Sequence, residues 1–144
     1  MGTRVGVAEF LDKISKLKKK EDKVNALKAN DSFVIRTVLQ AAFDPRIKWN
    51  LPPGNPPFKK NDLVDQENVL IKDARKLVYF VEGGPNLKPI KRETMFIEFL
   101  ESLAPADADM ILSIKEKKFP FKGLTEDMVR EAFPNLLPAK EVAE

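Results

Sequence analysis

Apolar residues in this chain recur every three or four positions and never alternate in a run long enough to set up a sheet, which restricts the fold to packed helices. Val7, Phe10, Leu11, Ile14 and Leu17 form one stripe, with Asp12, Lys13 and Lys16 on the outer face. A second helix is expected over Glu21 to Ala29, with Val24 and Leu27 inward. Asn30 or Asp31 should cap the third, which buries Phe33, Val34, Val38 and Ala41 and stops at Asp44-Pro45. Ala74, Leu77, Val78 and Val81 carry a fourth pattern, ended by Gly83-Gly84-Pro85. Pro89 opens a fifth, with Ile90, Met95, Phe96, Phe99, Leu100 and Leu103 as its stripe. Pro105 to Lys115 follows with Met110, Ile111 and Ile114 inward. The last helix starts at an N-cap Thr125 and buries Met128, Val129, Ala132 and Phe133. The expectation is an all-α single domain of about seven short helices, with a core over about 5–138. The apolar ending Phe133 to Pro138 should pack, and 139–144 should fray.

Length agrees with one core: 144 residues bury roughly 68–70% of the unfolded surface. No apolar run approaches the ~20 residues of a membrane span. Histidine and cysteine are both absent, which removes disulfides, cysteine-bound metals, thiolate nucleophiles and the Ser-His-Asp triad. Carboxylate, lysine and oxygen-ligated metal chemistry survive that filter, but the composition points to a binder with no enzymatic activity, cofactor or metal. Residues 1–12 lack an apolar signal-peptide segment and carry Glu9 and Asp12, so a cytoplasmic location is expected.

The net charge of +3 is small, yet it is unevenly spread. Residues 1–72 hold 14 Lys/Arg against 9 Asp/Glu, and residues 73–144 hold 11 against 13. The densest run is Lys13, Lys16, Lys18, Lys19, Lys20 and Lys23, which by itself reads as a solvated face. Between Asp44 and about Asp62, Pro45, Pro52, Pro53, Pro56 and Pro57 impose a long loop. It mixes Arg46, Lys48, Lys59 and Lys60 with Trp49 and Phe58, rings that either pin the loop to the core or stack on a ligand.

Chemical motifs are sparse. Gly83-Gly84 is a helix stop, not a phosphate loop. Asp107/Asp109 and Glu126/Asp127 suit the first turns of their own helices better than carboxylate dyads. Glu98 and Glu101 read as a solvated acidic face. The stretch Lys115-Glu116-Lys117-Lys118-Phe119-Pro120-Phe121-Lys122-Gly123 is more informative, because cations and free backbone N–H groups between two helices can grip a phosphate backbone.

That stretch, from Ile111 to Thr125 and on through Val129 to Pro138, resembles the N-terminal DNA-binding domain of ATP-dependent DNA ligases, in the small form of tailed-bacteriophage ligases. Phe10 to Lys28, Phe33 to Phe43 and Phe96 to Leu103 are similar to its opening pair, third and central helices. The resemblance implies a helical module on the minor-groove side of duplex DNA, nicked or intact. Its contacts would be Lys115, Lys117, Lys118, Lys122 and the N–H of Gly123, followed by Lys88, Lys91 and Arg92. Arg46, Lys48, Trp49, Lys59 and Lys60 join as further contacts on charge and aromatic content alone. The catalytic lysine-x-Asp-Gly motif is missing: Lys60-Asn61-Asp62-Leu63 lacks the glycine. The expected function is therefore sequence-independent binding of duplex DNA by a phage-like accessory in the host cytoplasm. The alternative is an adaptor for a phage or host protein, docking through the Pro-rich loop and the apolar C-terminal turn.

Overall fold

The computed structural model describes residues 6–52, 54, 56–59 and 69–138. The fold is all-α: α1 (Val7–Ser15), α2 (Lys20–Ala29), α3 (Phe33–Phe43), α4 (Val69–Asp73), a 3₁₀ helix (Ala74–Phe80), α5 (Pro89–Ser102), α6 (Pro105–Lys115) and α7 (Glu126–Ala132). Among the described residues there is no strand, only one isolated bridge between Trp49 and Val81. Lys60 and the chain end at 139–144 lie outside the described residues.

Helix α6 is the hub, packing on α1, α3 and α5, while α2 lies along α7. Its buried residues include Ala108, Met110, Ile111, Leu112 and Ile114, so nearly all its faces are covered. Phe80 of the 3₁₀ helix meets the rings of Phe96 and Phe99 on α5, with centroids 5.1 and 5.6 Å apart. Phe133, Leu136 and Leu137 are buried, so the final apolar turn closes the core as expected. It is thereby lost as the docking surface that the adaptor reading assigned to it.

Local chemistry sets the helix starts. Pro89 and Pro105 occupy first-turn positions of α5 and α6, where the missing N–H costs nothing. Thr125 caps α7 as expected, its hydroxyl accepting from the Met128 N–H at 3.4 Å. Ser32, rather than Asn30 or Asp31, caps α3, with Oγ accepting from the Ile35 N–H at 3.3 Å. Asp31 instead forks onto Arg36 through both carboxylate oxygens.

Some side chains expected inside are exposed, and the reasons are geometric. The 3₁₀ helix turns every three residues and buries Ala74, Leu77 and Phe80, which leaves Val78 48% exposed. Leu17 lies beyond the last turn of α1. Phe33 and Ile90 sit in the first turns of α3 and α5, where fewer neighbours cover them.

Candidate nucleic-acid interface

The chain between α6 and α7 is the strongest candidate in the sequence, and it starts with a tight helix termination. The Lys117 N–H donates to the Ile114 carbonyl at 2.8 Å and the Lys118 N–H to the Ser113 carbonyl at 2.9 Å. This is a Schellman pattern whose left-handed position, usually glycine, holds Lys117 at φ 59°. The ammonium of Lys117 compensates by donating to the carbonyls of Ala41 and Asp44 at 2.8 and 3.1 Å, closing the C-terminus of α3. Burial pushes its pKa down, opposed by the nearby Asp44 charge. Lys117→Met, which leaves both carbonyls without this donor, is expected to cost about 1.5 kcal/mol in a urea melt. An unchanged midpoint would contradict that role.

Lys115 and Arg92 are buried, contrary to the expectation that they contact phosphate. Lys115 is 5% exposed, and its ammonium donates to the Pro52 carbonyl at 2.9 Å and to Glu116 at 2.7 Å. Arg92 is 7% exposed and donates to the Leu87 carbonyl at 2.9 Å. With Lys117 tied to α3, three of the seven cations expected at the interface serve as internal links.

Lys118 and Lys122 remain exposed, and the residue after Lys122 meets a distant part of the sequence. Gly123 lies so close to the end of α1 that a Cβ would collide with the Ser15 carbonyl oxygen. Its own carbonyl accepts from the Lys23 ammonium of α2 at 2.8 Å. The link from Lys16 to Lys20 is thereby held beside Lys122. Lys16 pairs with Asp12 at 3.0 Å and Lys20 with Glu131 at 3.5 Å. Among the described residues, Lys18, Lys19, Lys118 and Lys122 have no carboxylate at ion-pair distance. Glu126, which would repel phosphate at the start of α7, is turned onto Arg130 at 2.8 Å.

The remaining candidates sit on other elements. Lys88 and Lys91 are exposed at the start of α5, a helix that packs chiefly on α6 and the 3₁₀ helix. In the Pro-rich segment, Trp49, Leu51 and Phe58 pack against the core, so Trp49 pins the chain, one of the two roles its sequence context allows. Backbone bonds from Asn50 to Phe80 and from Glu82 to Lys48, both 2.8 Å, fix the segment to the 3₁₀ helix. Lys48 and Lys59 are exposed, and the Lys59 N–H donates to Glu101 at 2.8 Å.

Arg46 is held by Asp44, whose carboxylate is 1% exposed and accepts from the Arg46 N–H, Nε and Nη2. These bonds, led by the guanidinium, hold the Asp44 pKa below its ordinary value. A lowered carboxylate pKa contributes stability that is present above about pH 4 and lost as the pH falls through the folded value. The stability gap between the protein and Asp44→Asn should therefore be widest at neutral pH and shrink by about pH 2. A gap that stays constant in urea melts across that range would contradict the pairing.

Asp107 serves neither as a dyad member nor in its own first turn alone. It is buried, and its Oδ1 accepts the Ala8 N–H of α1 at 2.8 Å, capping a helix 99 residues earlier in the chain. Among the described residues, no three carboxylates come together in a way that could hold a metal ion, and no helix is long and apolar enough to cross a membrane.

A protein-family model described as a family of unknown function matches residues 10–120. The chain belongs to that family, DUF6433. The DUF6433 match runs from within α1 to the middle of the basic link and includes both lysine clusters except Lys122. No curated protein and no solved structure matches the chain, and none of the comparisons connects this DUF6433 member to DNA ligases.

Proposed function

We propose that this DUF6433 protein is a non-enzymatic, sequence-independent binder of duplex DNA that grips the sugar–phosphate backbone through two lysine-rich links. The observation that supports this reading is the close approach of Gly123 to Ser15, together with the Lys23 bond to the Gly123 carbonyl, which ties both ends of the Lys16–Lys20 link to the residue after Lys122. Lysine suits such a surface because it is a compact point charge that neutralises phosphate without the paired donors needed to read base edges. Lys16, Lys20 and Lys23 reinforce the local potential, although each has a partner within the protein.

Charge reversal tests the reading. A labelled duplex of about 20 base pairs is titrated at low salt with the protein, with Lys18→Glu/Lys19→Glu/Lys122→Glu and with Lys88→Glu/Lys91→Glu. The first variant should bind at least tenfold more weakly and the second within about threefold of the parent. Equal losses in the two variants would relocate the interface, and no binding by the parent at ~50 mM salt would remove the function.

A further inference from the structure

A second surface lies between α3 and the 3₁₀ helix. A cavity of about 160 Å³ is lined by Phe33, Ala41, Ile47, Trp49, Leu77 and Val78, among others. That volume holds one large apolar side chain and falls short of the roughly 300–1,000 Å³ of small-molecule sites. Two of its walls are solvent-facing, since Phe33 is 57% exposed and Val78 48%. The 3₁₀ geometry that turns Val78 outward is what leaves this groove open.

Among the described residues that line it, Arg75 is the one ionisable group, and it is a cation. Its guanidinium stands over the Phe33 ring, 5.8 Å from the centroid. Among the described residues, Arg75 has no carboxylate partner, in contrast to Arg36, Arg46 and Arg130. An arginine laid on a ring keeps its planar fork of donors available, and that fork matches a carboxylate. Trp49 lines the same groove, and its indole Nε1 is buried without a hydrogen-bond acceptor among the described residues.

From these features we infer that the groove docks an acidic peptide segment of a partner protein. One apolar side chain enters beside Phe33, Trp49 and Val78, and a neighbouring Asp or Glu pairs with Arg75. The single-side-chain volume selects a peptide anchor, and the cation on the rim selects an acidic one. None of Lys18, Lys19, Lys118 and Lys122 lines this groove, so either site can fail without the other.

A display library of random peptides about 12 residues long, panned against the full chain, tests the inference. The expected winners carry a Leu, Ile, Phe or Trp with Asp or Glu within about four residues. In fluorescence anisotropy their affinity should fall at least tenfold with Arg75→Glu and with Phe33→Ser, and Arg75→Lys should lose less than Arg75→Glu. Both side chains are surface groups; Val78→Ser, read in parallel with far-UV circular dichroism, supplies a third variant should either misfold. Duplex affinity should stay within twofold in all of them. Several results would overturn the inference: no enrichment, basic winners, peptides bound equally by Arg75→Glu, or a dimer of the free protein abolished by Phe33→Ser. The last of these would assign the groove to a second copy of the chain.

Discussion

Gly123→Ala is expected to destabilise the protein by about 3 kcal/mol, although it adds a single methyl group. The new Cβ would collide with the Ser15 carbonyl oxygen, which is backbone at the end of α1 and has no rotamer by which to retreat. Relief requires α1 or the α6–α7 link to move, and the Lys23 bond to the Gly123 carbonyl at 2.8 Å opposes that movement. Thermal unfolding should show a fall in Tm of roughly 10 °C. The same variant links packing to function. Below its melting temperature it should bind duplex DNA more weakly than the parent, because the methyl group drives the Lys16–Lys20 link away from Lys122. A variant with unchanged Tm would mean that the two links do not approach as described.

Asp107→Ala should lose about 2–3 kcal/mol, far more than an ordinary surface carboxylate. The Asp107 carboxylate is buried on α6 and accepts the Ala8 N–H in the first turn of α1. Alanine removes the acceptor and leaves that donor buried with no replacement, while the positive end of the α1 dipole loses its counter-charge. Asp107→Asn keeps an acceptor oxygen but not the charge, so it should fall between the two. Urea denaturation of the three proteins gives the ranking, and an alanine variant within about 0.5 kcal/mol of the parent would contradict the capping role.

Six of the seven α-helices follow from apolar spacing, because α1, α2, α3, α5, α6 and α7 each present a stripe that needs only local reading. The region after Val69 is harder. Ala74, Leu77 and Val78 fit an α-helical face, whereas the observed 3₁₀ turn uses Ala74, Leu77 and Phe80, and a period of three cannot be told from 3.6 over so short a run. The site is less legible than the fold, because a lysine's partner is a tertiary fact. The two buried cations do leave a trace. Lys115 falls four residues after Ile111, and Arg92 four before Phe96, so each lies on the buried stripe of its own helix. Lys117 leaves none, since its role depends on a left-handed turn at a non-glycine residue and on two carbonyls of α3. In the sequence Lys18 and Lys19 contribute only local charge density; the approach of their link to the α6–α7 chain depends on the packing of Gly123 against Ser15.

The salt dependence of duplex binding tests the two-link surface most directly. Four lysines with no carboxylate at ion-pair distance among the described residues, Lys18, Lys19, Lys118 and Lys122, should release counterions from about four phosphates, so log affinity should fall against log salt with a slope of about −3.6. In Lys19→Gln/Lys122→Gln, which removes one charge from each link, the slope should shrink to about −1.8. A slope that is unchanged in that variant, or the absence of saturable binding by the parent protein at ~50 mM salt, would contradict the account.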